Sequence, residues 1–195
     1  MNALERRKIT VIGPSDVGKT TLIYRMCYDA FEEHLKPTLG ASYSEKVIQA
    51  VDEEEYVLQF WDTAGMERYA TLTPVYYPNT YIFWMVFDLT NRDSLRKLQL
   101  ISLILFQRVK ETPRIYLIGN KKDLVEGIKW KGEIEQFMAT LPLVEYFEVS
   151  AKSGENVKLL EYQLQKDCPQ QIPNPVTMVL NEPSEHSEEK KKRCC

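Results

Sequence analysis

Residues 13–20 read G-P-S-D-V-G-K-T, and this glycine-rich segment constrains the fold more than any other part of the sequence. It follows a short β-branched run at residues 8–12 and precedes residues 19–29, where Leu22, Ile23 and Met26 mark the apolar face of a helix. A loop between a buried strand and a helix can present backbone N–H groups to phosphate oxygens, while its Lys reaches the terminal phosphates and its hydroxyl binds Mg²⁺. The free N–H groups and partial positive charge of the helix N-terminus favour the same ligand. The segment predicts a phosphate site in an α/β fold, although by itself the pattern also fits an ordinary turn.

Two later motifs make the predicted ligand more specific. Residues 62–65 read D-T-A-G, and residues 120–123 read N-K-K-D after a strand-like run at 114–119. The Asp123 carboxylate can accept hydrogen bonds from the N1–H and 2-amino groups of guanine, whereas adenine has no matching pair of donors. A solvated polar turn would explain residues 120–123 locally, but not the presence of S-A-K at 150–152 after another strand-like run at 146–149. Together the motifs predict a pocket for a guanine nucleotide and Mg²⁺ at the carboxyl edge of a parallel sheet.

These motifs resemble those of Ras-like small GTPases, and the resemblance covers residues 8–168 and the tail. It implies that Lys19 and Thr20 bind phosphate and Mg²⁺, that Thr38 of switch I completes the metal shell, and that Asp62 holds Mg²⁺ through water. Gly65 corresponds to the switch II glycine that senses the γ-phosphate. The nucleotide-binding set implied by the resemblance comprises Gly13, Ser15, Asp16, Val17, Gly18, Lys19, Thr20, Thr21, Phe31, Thr38, Asp62, Gly65, Asn120, Lys121, Asp123, Ser150, Ala151 and Lys152. Within it, Phe31 would lie against the guanine face.

Three segments resemble the Rab branch of that superfamily: T-L-G-A-S-Y at 38–43, Q-F-W-D at 59–62 and F-D-L-T at 87–90. Tyr43, Trp61 and Tyr76 occupy the places of the aromatic triad through which Rab proteins contact effectors. Aromatic residues at such spacings are also common in a core, and partial exposure of all three rings would favour the effector role. The resemblance further implies an exchange factor, a GTPase-activating protein (GAP) of the TBC type and an escort protein or GDI as partners.

The sequence departs from the family pattern at two site positions. Met66 stands where the family usually carries the Gln that orients the attacking water, and a thioether cannot donate a hydrogen bond. Asp16 stands where Gly is common, so its carboxylate would lie near the phosphates and loosen the nucleotide, unless it turns outward to pair with a lysine such as Lys121. The predicted catalytic set is therefore Lys19, Thr38, Gly65 and Met66, with weak intrinsic hydrolysis.

Composition and charge agree with one soluble domain. The 195 residues are 44% hydrophobic and 27% charged, as in globular proteins, and the net charge of −3 gives no reason to expect nucleic acid as a partner. We see no signal peptide, and runs such as 81–87 and 100–106 are too short to span a bilayer. We therefore expect a cytoplasmic chain that, by its resemblance, cycles to the cytosolic face of an endomembrane.

The C-terminal segment has a different character from residue 169 onward. Prolines and acidic residues lead to the basic run 190–193 and then to Cys194 and Cys195, which close the chain. Such a stretch cannot bury apolar area, so residues 169–195 are predicted to form a flexible tail. Cys27 lies on the predicted first helix and Cys168 near the end of the last, so no small disulfide framework is suggested. The terminal pair is not a C-a-a-X box, and its lipidation with two geranylgeranyl groups is implied by the resemblance to Rab tails.

The predicted architecture for residues 1–168 is one G domain with a mostly parallel sheet, flanking helices and a long helix over 92–110. Strands at 47–51 and 56–61, separated by the acidic turn 52–55, predict a hairpin that makes one edge strand antiparallel. Two functions remain open: a GTPase switch that recruits membrane-traffic effectors, and a GTP-dependent binding module with negligible hydrolysis. An ATP-using P-loop enzyme is disfavoured by Asp123 and by the D-T-A-G segment.

Overall fold

The computed structural model describes residues 4–33, 38, 41–63, 76–109 and 112–170. Its six-stranded sheet has the order β2-β3-β1-β4-β5-β6, in which β2 runs antiparallel to β3 and the other pairs are parallel. The strands are β1 (Glu5–Ile12), β2 (Ala41–Gln49), β3 (Glu55–Thr63), β4 (Ile82–Asp88), β5 (Arg114–Asn120) and β6 (Val144–Glu148). The helices are α1 (Lys19–Tyr28), α2 (Arg92–Arg108), α3 (Lys131–Met138) and α4 (Val157–Asp167). The predicted α/β fold with one antiparallel edge strand is confirmed.

The central strand β4 is buried along its whole length because helices cover both faces of the sheet. Its side chains alternate between the two faces, so that Trp84 and Val86 pack in one core cluster and Met85 and Phe87 in the other. The first cluster contains Leu22 and Met26 of α1 with Leu160 and Leu164 of α4. The second contains Leu95 and Leu98 of α2 with Ile134 and Phe137 of α3. The domain therefore has three layers, with the sheet in the middle.

The hairpin of β2 and β3 is longer than the predicted strands at 47–51 and 56–61. Its pairing runs from Ala41 opposite Thr63 to Gln49 opposite Glu55, and the turn places Glu53 in the left-handed region at φ 67°. Most of β2 before Val47 is polar, and hydrophobic periodicity could not reveal it as a strand. Backbone pairing with β3 extends β2 over these residues.

The other element bounds differ from prediction at their ends. β1 begins at Glu5, ahead of the predicted 8–12, because its first residues pair with Tyr56 to Leu58 of β3. α1 ends at Tyr28, since Asp29 adopts a left-handed C-cap conformation at φ 50°. β6 begins at Val144, two residues before its predicted start at residue 146, because Val144 pairs with Ile115 of β5. α2 ends at Arg108, and Lys110 lies outside the described residues.

Within the described part of the chain, no helix is both long and apolar enough to cross a membrane. Cys27 and Cys168, the two described cysteines, are free thiols. Burial raises the pKa of the Cys168 thiol to about 12, which keeps it protonated at neutral pH.

The C-terminal end of α4 is joined to the sheet by a buried carboxylate. Asp167, 3% exposed, accepts a hydrogen bond of 2.5 Å from the hydroxyl of Tyr116 in β5 and forms an ion pair with Arg114. An acidic side chain in the last turn of a helix faces the negative end of the helix dipole, so these two partners must offset that repulsion. Burial, with Asp167 beside it, raises the pKa of Tyr116 and keeps its hydroxyl a donor. Nearby, Arg7 Nε donates to the carbonyl of Cys168 at 2.8 Å.

We predict that Asp167→Asn lowers the free energy of unfolding by about 3 kcal/mol, because it leaves the mostly buried guanidinium of Arg114 without its counter-ion. Urea unfolding at fixed nucleotide concentration measures the change as a lower midpoint with an unchanged slope. The matched control is Asp93→Asn, whose partner Arg96 lies on the surface, and its cost should stay below about 1 kcal/mol. Equal losses for the two variants would contradict the prediction.

Candidate nucleotide-binding site

The glycine-rich loop follows the carboxyl end of β1 and turns sharply into α1. A Cβ on Gly13 would meet the carbonyl oxygen of Val86 at 2.2 Å, and a Cβ on Gly18 (φ 87°) would meet the Asn120 side chain at 2.5 Å. Neither position can therefore hold a larger residue without a shift of its neighbours. The buried ammonium of Lys19 donates to the carbonyl oxygens of Gly13 (3.0 Å) and Pro14 (2.7 Å), which keeps its positive charge inside the loop. Other predicted loop residues are placed as follows: Val17 is buried, while Ser15, Thr20 and Thr21 are half-buried.

Asp16 lies at the exposed tip of this loop with φ 65°. Aspartate tolerates this left-handed conformation better than most residues, so the loop can keep its shape without a glycine there. Lys121 Nζ donates to the Asp16 carbonyl oxygen at 2.7 Å, but its ion pair, also 2.7 Å, is with Asp88 Oδ2. The ion pair between the Asp16 carboxylate and Lys121, which the sequence left open, is therefore not formed.

Three hydroxyl groups surround the Asp62 carboxylate next to the loop. Asp62 Oδ2 accepts hydrogen bonds from Thr20 (2.5 Å), Thr38 (3.1 Å) and, at 3.4 Å, Ser42. The Thr20 and Thr38 hydroxyl oxygens are 2.8 Å apart. Thr20, Thr38 and Asp62, the three predicted metal-site residues, thus meet at one point.

The same carboxylate has unused binding capacity. Asp62 Oδ1 is buried and has no hydrogen-bond partner among the described residues. Burial raises the pKa of Asp62, although the neighbouring hydroxyls and Lys19 act in the opposite direction. A hard cation such as Mg²⁺ prefers oxygen ligands of this kind and keeps several waters, so the donor set fits it. In the described residues there is no cluster of three or more His, Cys, Asp or Glu that would offer a metal site built from protein ligands alone.

The loops after β5 and β6 meet beside the glycine-rich loop. Asn120 Nδ2 donates to the Val17 carbonyl oxygen at 2.9 Å, while its Oδ1 accepts from the Ala151 backbone N–H at 3.0 Å. Ser150 Oγ donates to Asp123 Oδ1 at 2.5 Å, so the hydroxyl orients the carboxylate and leaves Oδ2 available. Lys152 follows on the exposed side of the loop. The predicted base-binding residues therefore share one network with the phosphate loop.

Asp88 is a site residue that the sequence motifs did not identify. Its Oδ1 accepts from the backbone N–H (2.8 Å) and hydroxyl (2.7 Å) of Thr90, and its Oδ2 holds Lys121. Asp88 ends β4 and lies opposite Asn120 of β5. Ligands bind at the carboxyl ends of parallel strands, so the position of Asp88 as the polar last residue of the run 82–88 could have identified it as a site residue.

The three aromatic residues Tyr43, Trp61 and Tyr76 lie side by side at the surface. The ring centroids of Tyr43 and Trp61 are 5.2 Å apart, and those of Trp61 and Tyr76 are 6.0 Å apart. Tyr43 is 46% exposed, and the other two are half-buried. This partial exposure favours an effector-binding role over a purely structural one. Phe31, after α1, is also exposed.

Four predicted site residues lie outside the described residues: Gly65, Met66, Cys194 and Cys195. Apart from Phe31, Tyr43 and Tyr76, the described members of the set lie at the carboxyl ends of β1, β3, β5 and β6, in the segments that follow these ends or, for Thr38, against Asp62.

Comparison with known proteins agrees with the motifs and the fold. The family model described as Ras family matches residues 8–170. The GTP-binding protein YPT53 of Saccharomyces cerevisiae is 36% identical over 86% of this chain and 77% of its own length. The Ras-related protein RABF2a of Arabidopsis thaliana is 33% identical over 89% of this chain and 87% of its own length. The Ras-related protein Rab-3A of Homo sapiens is 36% identical over 77% of this chain and 68% of its own length. The chain therefore belongs to the Ras-like small GTPases, and within them to the Rab family.

Proposed function

We propose that this chain is a guanine-nucleotide switch of the Rab type, which binds GTP or GDP with Mg²⁺, hydrolyses GTP slowly and recruits effectors in vesicle traffic. The observation that carries the proposal is the network through Asn120, whose amide joins the phosphate loop at Val17 to the base loop at Ala151. A nucleotide could therefore span both loops, with its phosphates on one and its base on the other. The relative YPT53 is named as a GTP-binding protein, which supports GTP as the ligand of this site.

The base would be read by the Asp123 carboxylate. Ser150 donates to Oδ1 and so fixes the carboxylate, which would accept hydrogen bonds from the N1–H and 2-amino groups of guanine. Ala151 and Lys152 would complete the base pocket, and Phe31 would cover one face of the ring. Lys121, fixed by Asp88 and the Asp16 carbonyl, would lie between the base and the phosphates.

The phosphate end would lie against the glycine-rich loop and the N-terminus of α1. Lys19 is already held by two loop carbonyls and would donate to the β- and γ-phosphate oxygens. Thr20 and Thr38 would ligate Mg²⁺ directly, and Asp62 would bind it through water. When bound, the ion neutralises the charge that develops on the phosphate oxygens during transfer. Gly65 would contact the γ-phosphate through its N–H.

We predict that Asp123→Asn weakens GTP binding about ten- to a hundredfold, because an acceptor of a charged hydrogen bond is replaced by a donor. The same amide suits the C2 carbonyl of xanthine, so preference should shift toward XTP. Titration with fluorescent GTP and XTP analogues measures both changes, with Asp93→Asn, on α2, as the control. Unchanged GTP affinity in Asp123→Asn would contradict guanine recognition by this carboxylate.

The hydrolysis step depends on how the attacking water is oriented. Met66 has no amide for this task, whereas Lys19, Thr38 and the loop N–H groups supply positioning and charge stabilisation. A TBC-type GAP, which by family resemblance supplies both an Arg and a Gln, could replace the missing group in trans. The alternative is a GTP-dependent binding module with negligible hydrolysis of its own. We favour the GAP-assisted switch because the other phosphoryl-transfer residues are present.

We predict that Met66→Gln raises the single-turnover GTP hydrolysis rate by up to about a hundredfold, with little change in GTP affinity, because it restores a preorganised hydrogen-bonding group. Leu159→Gln, at an exposed site on α4, is the matched control and should leave the rate unchanged. A TBC-type GAP should accelerate the parent protein as well. If the parent is inert even with the GAP, the binding-module alternative is the correct one; if Met66→Gln is no faster than the parent, Met66 does not limit the rate.

Effectors would bind at the surface formed by Tyr43, Trp61 and Tyr76. The three rings are partly exposed and in contact, so they provide a rigid apolar area of the kind that dominates protein interfaces. Tyr43 and Trp61 follow and precede Ser42 and Asp62 in the β2–β3 hairpin, and Thr38 and Ser42 both donate to Asp62, so nucleotide-dependent changes at Thr38 would reach this surface.

Membrane attachment would depend on residues 169–195, which we propose to form a tail ending in the prenylated pair Cys194 and Cys195. Two lipid chains hold stably where one is marginal, and each Lys or Arg near an anionic leaflet adds about 1 kcal/mol. The escort protein and GDI of the family would carry the lipidated chain through the cytoplasm to the cytosolic face of an endomembrane.

We predict that replacing Cys194 and Cys195 together with Ser moves the protein entirely from membranes to the cytosolic fraction, because no lipid can then be attached. Fractionation of cells that express each variant measures the distribution. Cys27→Ser, in α1, should leave membrane association unchanged. Membrane association that persists in the double variant would rule out lipid attachment at the tail.

A further inference from the structure

Arg25 of α1 binds three backbone carbonyls at the edge of the proposed base pocket. Its Nε donates to the Ala151 carbonyl oxygen at 2.9 Å, and its Nη2 donates to the Lys152 carbonyl oxygen at 2.7 Å. Its Nη1 donates to the carbonyl oxygen of Asp29, just beyond α1, at 2.9 Å. The guanidinium is mostly buried, with 13% of the side chain exposed. Arg25 lies outside all three nucleotide-binding motifs.

The loop that Arg25 holds is a tight turn with its own internal bonds. Gly154 N–H donates to the Ser150 carbonyl oxygen at 2.9 Å, and Ser153 N–H donates to Ser150 Oγ at 2.9 Å. A Cβ added to Gly154, at φ 82°, would lie 3.9 Å from the Arg25 guanidinium, so the guanidinium lies beside this turn. These internal bonds shape the loop, while Arg25 attaches it to the helix that follows the phosphate loop.

The three contacts use the geometry of a guanidinium. A planar fork with five N–H donors can reach carbonyls that point at it from two chain segments, whereas an ammonium is a single point charge on a flexible stem. The carboxylate of Asp29 contributes less, since it lies 3.7 Å from Nη1 and is 72% exposed. Exposed ion pairs of this kind stabilise a protein very little. The carbonyl contacts therefore account for the ordered position of Arg25.

We propose that Arg25 is a positioning residue for guanine recognition, which acts by holding the Ser150–Ala151–Lys152 turn against α1. Ser150 orients the Asp123 carboxylate, so any displacement of this turn displaces the group that reads the 2-amino group of the base. The contact with Asp29 also fixes the end of α1, two residues before Phe31. Arg25 thus joins the base pocket to the start of the segment that leads to Thr38. The inference rests on the proposed binding of guanine nucleotides at this site.

The test compares release of fluorescent GDP and of its inosine analogue from the full chain and from Arg25→Met. Loss of the carbonyl contacts should speed GDP release about tenfold, the equivalent of one or two hydrogen bonds. Inosine lacks the 2-amino group that Asp123 is proposed to bind. Arg25→Met should therefore accelerate release of inosine diphosphate less than release of GDP, by about two- to threefold. A variant that only weakened the whole fold would speed both by the same factor.

Two matched variants separate the carbonyl contacts from the charge. Asp29→Asn removes the ion pair but keeps the backbone carbonyl, and asparagine tolerates the left-handed conformation at this position. Both nucleotides should therefore leave this variant at the same rates as they leave the parent. Arg25→Lys should lie between the parent and Arg25→Met, since one carbonyl remains in reach. Arg96→Met, an exposed arginine on α2, controls for loss of a surface cation. If Arg25→Met does not fold, Arg25→Lys carries the comparison of the two nucleotides.

Hydrogen exchange gives a second measurement on the GDP-bound proteins. The Gly154 and Ser153 amides should lose protection in Arg25→Met and keep it in Asp29→Asn. Equal acceleration of GDP and inosine diphosphate release, or unchanged protection of these amides, would overturn the role of Arg25. A parent protein that does not prefer GDP over inosine diphosphate would overturn the proposed base recognition itself, and with it this inference.

Discussion

Burial of the central strands on both faces is the constraint on which the rest of the structure depends. β4 is buried throughout, as are the second half of β1 and nearly all of β5, so polar side chains on these segments reach solvent or a ligand chiefly at the strand ends. The carboxyl ends of the parallel strands lie together on one side of the domain, and the residues proposed to bind phosphate, metal and base lie at these ends or near them. The apolar core thereby decides where the chemistry is located. The same burial explains why the polar residues at this edge, such as Lys19, Asp62 and Asn120, are held by several hydrogen bonds each.

The loops of the site hold one another through side-chain contacts with backbone carbonyls. Asn120 contacts Val17, Lys121 contacts Asp16, and Arg25 contacts Ala151 and Lys152. In each case a side chain from one loop or helix satisfies the carbonyl of another, so displacement of one segment costs hydrogen bonds in its neighbour. This arrangement couples the base end of the pocket to the phosphate end before any ligand is considered. If guanine binds as proposed, Arg25 would influence through these contacts a base that it does not touch.

The two departures from the family pattern affect different parts of the proposed cycle. Asp16 adopts the left-handed backbone that glycine would otherwise supply, so the loop keeps its shape and the change is one of charge. We propose that this charge, exposed at the tip of the loop, loosens the nucleotide and speeds exchange. Met66, by the proposed function, would leave nucleotide binding intact but lack the amide that orients the attacking water. A protein with both changes would exchange its nucleotide readily and depend on a partner for hydrolysis.

Much of the fold and of the site could be predicted from the sequence, because local chemistry carries the information. The motif at residues 13–20 needs glycines for close backbone approach, and the carboxylate proposed to select guanine is a property of Asp123 itself. Buried strands such as β4 appear as continuous apolar runs. For the same reason the polar first half of β2 could not be predicted, since only its pairing with β3 makes it a strand. Sequence likewise left open whether Asp16 pairs with Lys121 and whether the aromatic triad is exposed.

Tertiary structure decided those points because they depend on residues far apart in the chain. Lys121 has Asp88 as its ion-pair partner, since β4 and β5 are neighbours and end at the same level. Arg25 meets the carbonyls of Ala151 and Lys152 only because α1 and the loop before α4 pack on the same side of the sheet. The ion pair of Asp167 with Arg114 likewise joins residues that no spacing rule connects. By itself, then, the sequence determined the family, the ligand class and the chemical groups of the site; packing of the helices on the sheet decided which of those groups hold one another in position.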